Sequence, residues 1–250
     1  MRFSAQILAA SVTFFASVRA ADDAADAKAI IEKAIKAKGG KLQDKAIAET
    51  WKDKGKFKGG DFEMQFTGEW AFQGPDKYRF KVNGDFMGMK VDFLVVVNGE
   101  KAWSSGFGMS EEMTGEKLEH TINEVYQLNV LSLQPLLKEK EFKLSVEGDK
   151  KAGGKDTKVV KVTREKRPAV TLYFDKESGL LAKSDMMVKD EFQAWKEVLE
   201  EGYYEDYKDV GGRKVFTKMR IVRDGKTMIE GTLSDQKVHD KLDEKLFEKP

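Results

Sequence analysis

Residues 61–73 read DFEMQFTGEWAFQ, and their alternation decides the fold class. Phe62, Met64, Phe66, Gly68, Trp70 and Phe72 take every second place, with Asp61, Glu63, Gln65, Thr67 and Glu69 between them. Successive side chains of a strand point to opposite sides, so this segment has one oily face and one wet face. Gly59-Gly60 marks a tight turn from a preceding strand over Ala46 to Lys58. Gly74-Pro75-Asp76 turns the chain into Lys77 to Val82, where Tyr78, Phe80 and Val82 alternate with Lys77, Arg79 and Lys81. Met87 to Val97 follows with Met89, Val91, Phe93, Val95 and Val97 on one face. Asn98-Gly99 then forms a two-residue hairpin turn into Lys101 to Ser104.

The period changes after the glycine loop Ser105 to Gly108, which carries Phe107 and leads to Met109. From Glu116 to Lys138 the apolar residues fall at helical spacing. Leu118, Ile122, Val125 and Asn129 share a face, Leu128, Leu131 and Leu133 lie close by, and Pro135 breaks the run into two helices. Strand patterns then resume over Phe142–Glu147, Lys158–Thr163, Ala169–Phe174 and Leu180–Lys189. Three more are expected over Gly202–Tyr207, Lys214–Arg223 and Thr227–Ser234, with turns at Gly211-Gly212 and Asp224-Gly225. Upstream, Ala24 to Lys38 reads as an amphipathic helix with Ile31, Ala34 and Ile35 on its stripe, stopped by Gly39-Gly40.

Connections this short imply antiparallel pairing in one sheet, and a sheet with one oily face needs a cover. The helical insert and the N-terminal helix are the segments that can supply it. The expected architecture is mainly β: an incomplete, unclosed antiparallel barrel curled around its helices, with the insert as a lid.

At the N-terminus, Arg2 precedes an apolar run from Ile7 to Phe15, followed by Val18-Arg19-Ala20. This is the layout of a cleaved secretory signal. Residues 1–20 are expected to be removed after Ala20, leaving residues 21–250 as a single domain in the periplasm or outside the cell. The chain has no cysteine, so neither a disulfide framework nor a lipid-anchor thiol is available. With 44 basic and 43 acidic residues interspersed, no basic stripe for nucleic acid is visible. No integral membrane segment is expected either.

No catalytic constellation, metal site or cofactor is expected. The two histidines, His120 and His239, have no companion at metal-ligand spacing and read as solvent-exposed. Ser104-Ser105 sit outside any nucleophile-elbow pattern, and the adjacent Glu111-Glu112 point to different sides of any element. What stands out is the oil: ten Met, sixteen Phe and four Trp, with Met64, Met87, Met89, Met109 and Met113 clustered around the strongest strands and the loop. Most must be core, yet flexible methionines recur where varied apolar partners are accepted. The candidate pocket residues are Phe62, Met64, Phe66, Trp70 and Phe72 on the first strand. Met89, Val91, Phe93, Val95 and Trp103 join them from the following hairpin. Leu118, Ile122, Val125 and Leu131 are the candidate lid residues, and lid movement is expected to control access.

Five segments carry a family resemblance: Ile30–Gly40 (IIEKAIKAKGG); Gly68–Phe72 with Pro75–Phe80; Val97–Trp103 (VNGEKAW); Tyr173–Leu181 (YFDKESGLL); and Tyr207–Gly212 with Thr217–Met219. In this order they resemble the LolA-like proteins over most of the mature chain. The resemblance implies an incomplete antiparallel barrel with a helical lid over an apolar cavity. It also implies a carrier of lipoprotein acyl chains or glycolipids, or a sensory domain of the cell envelope. The lipoprotein carriers hold the lid with a strand arginine, whereas Ala46 to Lys58 has lysines, among them Lys52, Lys54 and Lys56, and no arginine. Two functions therefore compete: a monomeric carrier of a lipid or lipoprotein acyl chain, and a non-enzymatic module with a filled core that binds an envelope protein.

Overall fold

A computed structural model of the protein describes residues 8–40, 47–60, 62–86, 88–106 and 108–250, with side chains described from Asp23 onward, Phe86 apart. Asp61, Met87 and Phe107 lie outside the described residues.

The Asp61–Gln73 alternation becomes β2 (Phe62–Gln73), paired along its length with β1 (Ala48–Gly59) and from Gln65 to Gln73 with β3 (Lys77–Phe86). β4 (Met89–Asn98), β5 (Lys101–Gly106) and β6 (Met109–Glu112) complete a first meander. β6 was not expected: it is four residues long, exposed throughout, and has no apolar face to betray it. Next come α2 (Gly115–Leu131) and α3 (Pro135–Lys138), with proline at the first turn of α3, where its missing N–H costs nothing.

The second meander runs β7 (Lys143–Ala152), β8 (Lys155–Thr163), β9 (Val170–Asp175), β10 (Leu181–Asp190), β11 (Lys196–Val210), β12 (Arg213–Arg223) and β13 (Lys226–His239). β13 returns to pair with β1, so the two meanders fuse into one antiparallel sheet with β6 and β7 at its edges. Those edges do not pair; the barrel is open there, and the chain crosses from one edge to the other through α2 and α3.

α1 (Leu8–Ala37) begins well before the helix expected from Ala24. The alanine-rich apolar run upstream is itself a good helix former, so helix propensity does not stop at Ala20. Its C-terminus docks tightly on the β11–β12 turn. The Lys214 amide donates to the Lys38 carbonyl at 2.9 Å, and Gly39, at φ +77°, sits where a Cβ would lie 2.0 Å from the Gly212 oxygen.

The interior holds two apolar clusters. Ile31, Ala34, Val130, Leu133 and Leu136 from the helices pack against β7–β11, including Val160, Leu172 and Met186. Phe72, Tyr78, Val95, Val97 and Ala102 of β2–β5 pack against Val125 and Met113, with Leu118 and Ile122 beside them. A third cluster lies on the outer face, where Leu242 and Phe247 of the C-terminal segment cover Ala48, Ala71, Val96 and Trp103.

Candidate functional site

Between the sheet and α2 lies a cavity of about 900 Å³, within the range of small-molecule pockets. β2 contributes its whole inward face: Phe62, Met64, Phe66, Trp70 and Phe72 all line it. Val91, Phe93 and Val95 of β4 line it as well. The wall is aromatic at its middle, where Trp70 stacks on Trp51 (5.4 Å between centroids, 11° between planes) and on Phe80 (3.7 Å, 24°). One end is crowded by Phe57, Phe62 and Phe192, with centroids 5.5 to 6.0 Å apart.

Two expected pocket residues lie elsewhere. Met89 is 60% exposed at the start of β4 and does not line the cavity. Trp103 faces outward. It pairs in register with Val96, and both pack under the C-terminal segment with Phe247. Among the clustered methionines, Met64 and Met113 reach the cavity, while Met109 is 73% exposed.

The helical lid also needs correction in detail. Leu118, Ile122 and Val125 pack against the β2–β5 cluster and do not line the cavity; Leu131 does. The face that α2 turns to the cavity carries Lys117, His120, Thr121, Glu124, Gln127 and Leu128. An amphipathic helix over a sheet spends its apolar stripe on anchorage, so here the polar stripe became the roof.

His120, expected in solvent, has a side chain only 10% exposed and lies 3.2 Å from Glu124. Burial pulls its pKa down, but Glu124 more than offsets that and leaves it raised. Beneath it, Arg223 of β12 donates from Nε to Glu200 at 2.9 Å and from Nη1 to Asp190 at 3.4 Å. Burial pushes the Glu200 carboxyl up against the pull of Arg223. Asp190 also accepts from the Phe192 amide and from Gln193 Nε2, holding Phe192 over the aromatic end. His239, likewise expected in solvent, is drawn into β13, where Nε2 lies 2.8 Å from Thr50 Oγ1. Among the described residues, no group of three His, Cys, Asp or Glu could hold a metal ion.

Sequence reasoning missed Asp53. Its strand neighbours Lys52 and Lys54 are outward-facing, and Lys52 reaches Glu69 at 3.7 Å. Asp53 instead faces inward opposite Gly68, is 4% exposed, and has no hydrogen bond of normal geometry to either carboxyl oxygen. Burial raises its pKa to about 6, opposed by the Trp70 indole and the Gly68 amide. The arginine inside the cavity comes from β12, not from β1.

An unclosed antiparallel barrel roofed by helices over an internal cavity is the LolA-like fold. Three solved structures share it. A LolA superfamily protein from Nitrosomonas europaea matches with a TM-score of 0.57 at 14% identity, over 89% of this chain and 97% of its own. A DUF1329 family protein from Desulfovibrio piger matches with a TM-score of 0.54 at 14% identity, over 89% and 97%. A domain described as outer-membrane lipoprotein-sorting, from Vibrio parahaemolyticus, matches with a TM-score of 0.54 at 12% identity, over 87% and 95%. No protein-family model and no curated protein sequence matches the chain.

Proposed function

We propose that the protein is an exported carrier that binds an acyl chain of a lipid or lipoprotein inside its cavity. The observation that carries this reading is the aromatic and aliphatic wall around about 900 Å³ of internal space. Burying each methylene of a chain there gains about 0.8 kcal/mol, without any catalytic group. The fold shared with a lipoprotein-sorting domain supports the same reading. In this reading residues 1–20 are an export signal cleaved after Ala20, and residues 21–250 act as a monomer in the periplasm or beyond. No helix among the described residues is long and apolar enough to cross a membrane. The competing module that binds an envelope protein calls for a filled core, and the cavity favours the carrier.

Native mass spectrometry of protein purified without detergent tests the proposal, paired with organic extraction. The expected result is a mass adduct matching an extractable acyl species. Apo mass alone, with no uptake of added twelve- to sixteen-carbon chains, would refute it.

A further inference from the structure

The charges around the cavity are sorted by position. At one end, where the C-terminus of α1 meets the β11–β12 turn, the rim carries Lys38, Arg213 and Lys237 against a single acid, Glu49. Arg213 Nη2 donates to Glu49 at 2.8 Å, so that acid is spent. Neither the Lys38 nor the Lys237 ammonium has a hydrogen bond or ion pair among the described residues. The nearby Asp209 is engaged with the Gly212 amide. Val210 and Val238, 47% and 43% exposed, stand on the same rim and mark it as the cavity's mouth.

The interior has the opposite balance. Its buried acids are Asp53 and Glu200, with half-exposed Glu124 beside them, against Arg223, His120 and Lys117; Glu191 also lines the cavity but is exposed. Lys117 is itself drawn to Glu111 at 2.6 Å. An anion pushed inward would meet acids in a medium of low dielectric, where repulsion is strong. An anion at the mouth would meet Lys38 and Lys237, neither of which has an ion pair among the described residues, while keeping contact with water.

We infer that the mouth is a headgroup site: Lys38, Lys237 and Arg213 hold the carboxylate or phosphate of an amphiphile whose chain runs inward over Trp70. This rests on the carrier reading and adds the ligand's charge and orientation to it. Lys38 suits the role. Burial and the nearby Arg213 guanidinium hold its pKa down against the pull of Glu49, and an arriving anion would relieve both effects. The exposed valines let the rim approach a lipid surface while the chain is transferred.

The test is displacement of the neutral fluorophore N-phenyl-1-naphthylamine by four twelve-carbon amphiphiles at pH 8 and low salt: laurate, dodecyl phosphate, dodecanol and dodecylamine. The two anions are expected to displace it at concentrations about tenfold lower than the alcohol or the amine, the scale of a charge-assisted hydrogen bond. In Lys38→Gln/Lys237→Gln the ratio of anion to alcohol should shrink to within about threefold. Because it is a ratio within one protein, partial loss of folded material does not imitate it, and each single variant should give an intermediate value. Dodecanol matching laurate, dodecylamine ahead of both anions, or an unchanged ratio in the double variant would overturn the headgroup site and leave the carrier reading intact. Failure of all four to displace the fluorophore would remove the carrier reading, and this inference with it.

Discussion

The carboxyl of Asp53 and the indole N–H of Trp70 are buried together over Gly68, and neither makes a hydrogen bond of normal geometry. The carboxyl's pKa rises to about 6 from 3.8, chiefly through burial. A raised acid pKa means that the folded state binds the proton more readily than the unfolded chain. Stability is then greatest below the unfolded value, and falls as pH rises through the window from about 4 to 6. The full shift corresponds to roughly 3 kcal/mol as an upper figure. Asp53→Asn should therefore melt higher than wild type at pH 8 and match it near pH 4. Thermal unfolding at the two pH values measures this, and identical differences at both would contradict the assignment.

Gly68 sits in the same contact. A Cβ there would lie 2.1 Å from Asp53 Oδ1 and 2.8 Å from Trp70 Nε1. Gly68→Ala should cost about 1–3 kcal/mol by overpacking. Part of that cost should disappear in Gly68→Ala/Asp53→Ala, because the two sites share the crowded atom. A strictly additive double variant, read from denaturant unfolding, would show that the strain lies elsewhere.

These two residues also show how much of the cavity the sequence revealed. The alternation of Phe62, Met64, Phe66 and Phe72 is a period-two signal strong enough to fix both strand and face. Asp53 was hidden because it lies between two lysines. Yet a tight β1–β2 turn fixes which face each residue takes, and the observed register, with Gly59 opposite Phe62, puts Asp53 opposite Gly68 on the Trp70 face. Trp103 was open to the same reasoning. The turn falls at Gly99-Glu100, one residue later than the expected Asn98-Gly99; it pairs Asn98 with Lys101 and hence Val96 with Trp103, and either turn leaves Trp103 on the face away from Val95. β11 starts at Lys196, ahead of the expected Gly202, and Glu200 on its buried face interrupts the apolar alternation there. Its charge is met by Arg223, directly opposite in register, which no local pattern announces. The outer cover by Phe247 depends on contacts remote in sequence; the His120–Glu124 pair is a local i,i+4 contact, but its placement over Arg223 is not local.

Arg223 carries the buried ionic cluster. Its side chain is 10% exposed and faces Glu200 and Asp190, 9% and 2% exposed. Arg223→Met would leave two buried carboxylates without their cation, at a cost of about 3–5 kcal/mol. In a chain of this length the melting temperature should fall by roughly 10 °C at pH 7. The deficit should narrow in acid, because Glu200, already raised by burial, accepts a proton and no longer needs the partner. Calorimetry at pH 7 and pH 4.5 would show it, and a deficit that grows in acid would contradict this account.

The attachments of α2 differ on its two sides, and this sets how it should open. On the β2–β5 side Leu118, Ile122 and Val125 are packed into an apolar cluster with Phe72, Tyr78 and Val97. On the β10 side part of the contact is polar: Lys189 Nζ reaches Glu119 at 3.2 Å and Glu116 at 3.4 Å. Both glutamates are more than half exposed, and exposed ion pairs hold little and yield to salt. The first turns of the helix should therefore swing away from β10 while its second half stays anchored through Val125 on β2–β5 and through Tyr126 and Val130 on the β7–β11 core. The chain lacks cysteine, so Lys189→Cys/Glu119→Cys can be bridged cleanly by a bismaleimide with a spacer. Stopped-flow uptake of N-phenyl-1-naphthylamine should slow about tenfold or more after bridging, since lid movements of this kind set access rates. Lys189→Ala should instead speed uptake, and added salt should speed the wild type more than this variant. Equal rates before and after bridging would mean that the roof is fixed and the ligand passes only through the mouth beside Lys38.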